Sequence, residues 1–232
     1  MTTSPRIFTC FTLIALASTS GAFAQWRIST DHKFSWNPNA GWMNWLEASN
    51  GTQSVRLSGT FLSGKIWMEN IGWLDVGDGT PAGGVAYSNA SGLDFGVNHN
   101  SATGALTGFA WSENAGWVNF GGGALATPPN PARIQIVEPC RLRGFAWSEN
   151  LGWINLDDSA SYIQFNTCPA DLNVDGQVDD NDFVLFAASY NILDCAAPEM
   201  PLICPADLNL DSFVNDSDFV VFANAYDNLT CP

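Results

Sequence analysis

Oxygen-bearing side chains recur at fixed intervals in one twelve-residue stretch: Asp171, Asn173, Asp175, Asp179 and Asp182 occupy positions 1, 3, 5, 9 and 12, with Gly176 at position 6. Gln177, at position 7, adds a backbone carbonyl. Calcium takes roughly six to eight hard oxygen ligands at flexible geometry, and this spacing suits a loop folded around one such ion. The pattern returns 36 residues later as Asp207, Asn209, Asp211, Phe213 (through its carbonyl), Asn215 and Asp218. The expectation is two calcium ions, one per loop. A run of Asx turns would use the same residue types without a metal.

Each loop needs an element to hold its last ligand. Phe183, Phe186, Ala187 and Tyr190 lie at helical spacing, and Phe219, Phe222, Ala223 and Tyr226 repeat the stripe, so a helix follows each loop and buries that stripe. Asp182 and Asp218 fall in the first turn, where the helix dipole favours negative charge. Val178 and Val214 would join the loops through apolar contact. Cys168-Pro169-Ala170 and Cys204-Pro205-Ala206 leave no room for an entering helix. Two D-L-N-x-D-x-x-V-[DN]-x-x-D loops, each with an exit helix only, resemble the type I dockerin domain over residues 168–232. That resemblance implies two bound calcium ions, a cohesin-like or other extracellular protein partner, and an association with polysaccharide breakdown. It also implies partner-reading positions at Asp180, Asn181, Asp216 and Ser217. Ser212 stands where the pattern has Gly, so it must accept a backbone conformation that favours glycine.

Charge supports a cation-dependent segment. The chain carries a formal net charge of -15. From Cys168 to Pro232 there are twelve acidic residues and no Lys or Arg, so this stretch repels itself when compact unless cations neutralise it. Nothing there could neutralise phosphates, which argues against nucleic acid. Cys168, Cys195, Cys204 and Cys231 obey the 36-residue repeat. Two pairings respect it, 168–195 with 204–231 or 168–231 with 195–204, and antiparallel packing of the units favours the second. Cys140 is left over and reads as a buried thiol.

Residues 1–24 read as a secretory signal: Arg6, the apolar stretch Ile7 to Ala17, and Ala22-Phe23-Ala24 for cleavage. The expectation is a secreted or cell-surface bacterial protein with no membrane span.

Residues 25–166 hold all ten tryptophans, eight of them in four copies of W-x-x-N-x-G-W. The copies are Trp36–Trp42, Trp67–Trp73, Trp111–Trp117 and Trp147–Trp153. Each reads as a β-hairpin, because Asn-x-Gly tolerates positive φ between short apolar strands such as Gly108–Trp111 and Trp117–Phe120. A further strand precedes each hairpin, at Ser54–Leu57, Ala105–Thr107 and Arg133–Val137. The fold expected is mainly β, as a sandwich, barrel or propeller-like array, followed by a small α calcium-binding domain. The motif is also similar to G-[FY]-A-W-S-E-N-x-G-W-[IV]-N-F repeats of exported bacterial proteins.

Each tryptophan pair is expected to pack inside its repeat, with Trp26, Trp45 and the first copy as exposed exceptions. The competing reading is a row of exposed indoles that stack on sugars. Nothing in the sequence signals catalysis. His32 and His99 have no metal spacing and read as surface or loop residues. Glu69, Glu113 and Glu149 recur once per repeat, as turn residues do. The function expected is that of a non-catalytic calcium-binding protein whose dockerin-like module mediates structural or partner docking; the alternative is a carbohydrate-binding accessory of polysaccharide breakdown, and a glycoside hydrolase ranks third.

Overall fold

The computed structural model describes residues 26–49, 51, 53–135, 140–166, 168–173, 177–201, 204–209 and 211–227. The expected signal segment, Asp175, Gly176 and Cys231 lie outside them, as does the side chain of Trp26. The strands are β1 (Trp26–Asn37), β2 (Gly41–Asn44), β3 (Arg56–Ser58), β4 (Phe61–Met68), β5 (Gly72–Gly77), β6 (Val97–His99) and β7 (Leu106–Ser112). They continue as β8 (Gly116–Asn119), β9 (Arg133–Ile134), β10 (Leu142–Arg143), β11 (Phe145–Ser148), β12 (Gly152–Asn155) and β13 (Ile163–Asn166). Two helices follow, α1 (Asp180–Tyr190) and α2 (Asp216–Tyr226).

The four W-x-x-N-x-G-W copies are the four hairpins β1–β2, β4–β5, β7–β8 and β11–β12. Side by side they run β12-β11-β8-β7-β5-β4-β2-β1, and the pair Trp36–Asn155 joins β1 back to β12. The result is an eight-stranded barrel. Of the three architectures the repeats allowed, closure selects the barrel, which leaves no unpaired edge. At the far end β1, β4 and β7 also pair with β13, β3 and β6. β3 is the strand expected at Ser54–Leu57, whereas Ala105–Thr107 runs into β7 with β6 earlier in the chain, and the described part of Arg133–Val137 holds β9, which pairs with β10 in a separate two-stranded sheet.

Hairpin geometry follows from the motif. The Gly before the second Trp has φ of +72°, +97°, +73° and +72° in Gly41, Gly72, Gly116 and Gly152, which only glycine adopts cheaply. The turn Asn of each copy reaches the neighbouring turn. Asn39 donates to the Leu151 carbonyl at 3.1 Å, Asn150 to Ala115 at 3.1 Å, Asn114 to Ile71 at 2.8 Å and Asn70 to Asn39 at 3.5 Å. These four bonds form a ring around one end of the barrel. Between strands the backbones come very close: a Cβ on Gly144 would lie 2.2 Å from the Pro131 carbonyl oxygen.

The interior is layered by repeat. Ser35, Met43, Ile66, Leu74, Ala110, Val118, Ala146 and Ile154 sit opposite one another in pairs and are buried. A second layer is Trp45, Val76, Phe120 and Leu156, also buried. Trp45, expected to be exposed, is 0% exposed, and its Nε1 donates to Ser35 Oγ at 2.9 Å. The third residue after the Gly that precedes each second Trp, Asn44, Asp75, Asn119 or Asn155, accepts a backbone N–H two residues on in an Asx turn, and Asn44, Asn119 and Asn155 are the last residues of their strands.

His99 is a buried residue of β6, not a surface one; its Nδ1 donates to the Gly59 carbonyl at 2.6 Å. Burial holds its pKa below the ordinary value. No described helix is long and apolar enough to cross a membrane.

Candidate metal centre and indole belt

The second acidic loop brings together three of its expected ligands. Carboxylate oxygens of Asp207, Asp211 and Asp218 all lie within 4.8 Å of one another. Calcium–oxygen bonds of about 2.3–2.6 Å place opposed ligands about 5 Å apart, so one ion fits among these oxygens. Asp207 and Asp218 are buried, while Asp211 is exposed. Burial raises the pKa of Asp207, the cost a nearby cation would relieve. Loop shape comes from backbone amides. Asp218 accepts from Leu208 at 2.7 Å and Asn209 at 2.9 Å, and Asp207 accepts from Ser212 at 3.0 Å. Ser212 has φ of +75°, the glycine-like conformation its position demanded. Asn209 bonds Asp211 at 3.1 Å, beside the three carboxylates. Asn215 is drawn elsewhere: its side chain caps α2 by accepting from Ser217 N. Phe213 pairs with Asp194 in an isolated bridge that pins the middle of the loop.

The first loop repeats the backbone-amide bonding, but among its described residues no three carboxylates come together as in the second. Asp171 and Asp182 are buried. Asp182 accepts from Leu172 at 2.7 Å, Asn173 at 3.0 Å and Asp179 at 2.9 Å, while Asp179 caps α1. Gln177 is exposed.

The loop–helix units face each other about a pseudo-twofold. Phe186 stacks on Phe222 at 5.0 Å, and Val178 and Val214 are both 0% exposed. Tyr190 donates to Asp216 and Tyr226 to Asp180, reciprocally. These bonds to carboxylates raise both phenol pKa values. Two of the four positions expected to read a partner, Asp180 and Asp216, thus also join the units; all four, with Asn181 and Ser217, are exposed. The expected core stripe is only half inside, because Phe183 and Phe219 are each 44% exposed.

Sequence reasoning missed the cations. No Lys or Arg lies in this segment, but barrel residues Arg27 and Arg56 reach it. Arg27 Nη1 donates to the Cys204 carbonyl at 3.0 Å, and Asp207 and Asp218 both act on its charge. Burial still pushes Arg27 down to about 10. Arg27 and Arg56 are direct cross-strand partners, a like-charge pair that destabilises a sheet unless something opposes it. The acidic loop opposes it. That pairing could have been suspected only from the lack of any acidic residue beside Arg27 in sequence.

Cys195 and Cys204 form a disulfide, which excludes the 168–195 with 204–231 pairing. Cys140 is disulfide-bonded, not the free thiol expected, and Cys168 is bonded too.

The tryptophans overturn the main expectation. Seven of the eight paired indoles lie on the outer wall at 38–48% exposure, and Trp111 is half-buried. Partners are directly opposite across each hairpin. In the last three copies their rings stand 4.7 Å apart at 56–69°, an arrangement worth about 0.5–1.5 kcal/mol beyond area burial. Phe34, Phe109 and Phe145 extend three of the pairs at 6.0–6.1 Å. The wall strands are apolar on both faces, and at the level of these pairs the narrow interior of an eight-stranded barrel takes the small and aliphatic side chains.

Fold and site together define a barrel closed from four hairpin repeats and joined to a duplicated acidic loop–helix pair. Compared with known proteins, the chain matches no family model, no curated protein and no solved structure.

Proposed function

We propose that this is an exported, non-catalytic calcium-binding protein whose duplicated loop–helix module, dockerin-like in plan, holds two calcium ions and docks onto an extracellular partner. The observation that carries this is the convergence of Asp207, Asp211 and Asp218 at the positions the loop pattern requires. Asn209, Asn215 and the Phe213 carbonyl would complete that shell. Asp171, Asn173, Asp175, Gln177, Asp179 and Asp182 would form the other. Calcium would supply the positive charge that a segment with twelve acidic residues lacks. Docking is favoured by the outer face of the helices, where Val184 is 66% and Val220 59% exposed beside Phe183 and Phe219.

Calorimetric titration of the chelator-stripped, oxidised protein tests this. Two calcium ions per chain should bind, and Asp211→Ala should leave one. Binding of no calcium by the unmodified protein would sink the reading.

A second reading has its own support. Exposed indoles on the barrel wall favour a carbohydrate-binding accessory role, in which flat aromatic faces meet sugar rings.

A further inference from the structure

The outer wall is not uniform. Where the first repeat meets the fourth, a groove of ≈ 500 Å³ opens between Trp36, Trp42 and Trp153. Trp36 and Trp42 are the two most exposed indoles of the belt, at 47% and 48%. Pro38 stands in this copy where the other three have Glu69, Glu113 and Glu149, so no carboxylate occupies that edge of the groove. The opposite wall is polar. Asn155 comes from β12, and Asp158 and Ser161 from the loop that leads to β13.

That wall is held in place. Asn155 Oδ1 accepts from Asp157 N at 2.9 Å. Asp158 Oδ1 accepts from Ala160 N at 2.8 Å and Ser161 N at 2.9 Å. The Ser161 and Ala160 amides keep the Asp158 carboxyl below the usual range, so it is ionised at neutral pH. Asp157, next to it, is fixed by Arg143 at 2.7 Å. The groove thus combines three indoles with an amide, a carboxylate and a hydroxyl on a braced loop.

A pyranose ring has the matching surface. Its axial C–H groups make one apolar face that stacks on an indole, while its equatorial hydroxyls point sideways as donors and acceptors. Sites for such ligands are concave, largely aromatic and supplied with a few placed polar groups. The groove volume lies within the usual range of about 300–1,000 Å³ for small-ligand sites.

We infer that this seam is a saccharide-binding subsite: Trp42 and Trp153 stack on pyranose rings, and Asn155, Asp158 and Ser161 hydrogen-bond the hydroxyls. The inference rests on the carbohydrate-binding reading and deepens it by naming one groove out of the whole belt. The Trp67–Trp73 and Trp111–Trp117 pairs, each closed on itself at 4.7 Å, lie outside the groove, stabilise their hairpins and bind no sugar.

The test is a titration of the oxidised protein with cellohexaose, xylohexaose and mannohexaose, followed by tryptophan fluorescence and calorimetry. The unmodified protein should bind at least one of the three saturably. Trp42→Ala and Trp153→Ala should each weaken binding about tenfold or more, as loss of an anchoring aromatic does, while Trp73→Ala should change it less than twofold. Ser161→Arg fills the groove and removes no indole. It should abolish binding even if an indole variant fails to fold. Equal losses in Trp73→Ala and Trp42→Ala would overturn the seam subsite but keep the carbohydrate reading. Binding of none of the three by the unmodified protein would overturn both.

Discussion

The barrel and the acidic module are both built by repetition, yet repetition serves them differently. Four hairpin copies supply the barrel with donors and acceptors for one another. The Asn39, Asn70, Asn114 and Asn150 ring passes each turn's side chain to the next turn's carbonyl, and Trp36–Asn155 closes the wall. Every copy completes its neighbour, as in other arrays whose single repeats cannot bury an apolar face alone. The two acidic copies supply each other with apolar contact and two Tyr–Asp bonds. They cannot supply charge of the missing sign. That must come from outside, from Arg27 and Arg56 of the barrel or from calcium. Duplication can close a hydrogen-bond network, but it only doubles a charge deficit.

The sharpest way to break this contrast is to withdraw the cation. Under the calcium reading, EDTA should unfold α1 and α2 and leave the barrel standing, with a loss of about 4 kcal/mol per site at calcium a thousandfold above Kd. Helical circular dichroism should fall while tryptophan fluorescence holds. Loss of both signals together would mean that the barrel depends on the module, and the contrast would fail.

The converse attack is steric. Gly144→Ala places a methyl group against the Pro131 carbonyl, 2.2 Å away, at a residue with φ of +80°. Urea denaturation should show a loss of about 3 kcal/mol. Calcium affinity should be unchanged, and a change there would show that the two regions are not independent.

Asn150→Ala removes one link of the turn ring, a 3.1 Å bond to the Ala115 carbonyl. About 1 kcal/mol should be lost in the same urea assay. If the ring acts as a unit, combining it with Asn114→Ala will cost more or less than the sum, and additivity within error would reduce the ring to separate bonds.

The smallest effect is set by pH. Burial depresses the pKa of His99 below its ordinary 6.5. Below pH 6.5 the unfolded histidine takes up a proton that the folded one resists, so stability present at neutral pH is lost as pH falls through that value. The barrel's urea midpoint should drop between pH 7.5 and pH 5.5, and His99→Gln should shrink the drop. An identical drop in both proteins would remove His99 from the account.

Much of this was legible in the residues. Asn-x-Gly marked the four hairpins because the turn needs positive φ. The loop pattern brought Asp207, Asp211 and Asp218 together because its spacing follows the loop's own path around a centre. Ser212 had to adopt a glycine-like backbone, and it does. Trp45 was misread, although aligning the copies places it beside Val76, Phe120 and Leu156, all buried.

The sequence by itself determined what is local: the repeats, the turns, the loops and the two exit helices, each decided by neighbours in the chain. Tertiary structure decided which face of each hairpin lies inside. Trp147 and Trp153 alternate with Ala146 and Ile154, so both faces are apolar and periodicity favours neither. Only closure breaks that tie. An eight-stranded barrel has a narrow interior, so at the level of the pairs Ala, Ser, Met and aliphatic side chains fill it and the paired indoles stay on the wall, while Trp45 and Phe120 are buried in the next layer. Tertiary structure likewise carried Arg27 and Arg56 to the acidic loop, because charges far apart in the chain meet only once the fold has brought their strands and loops together.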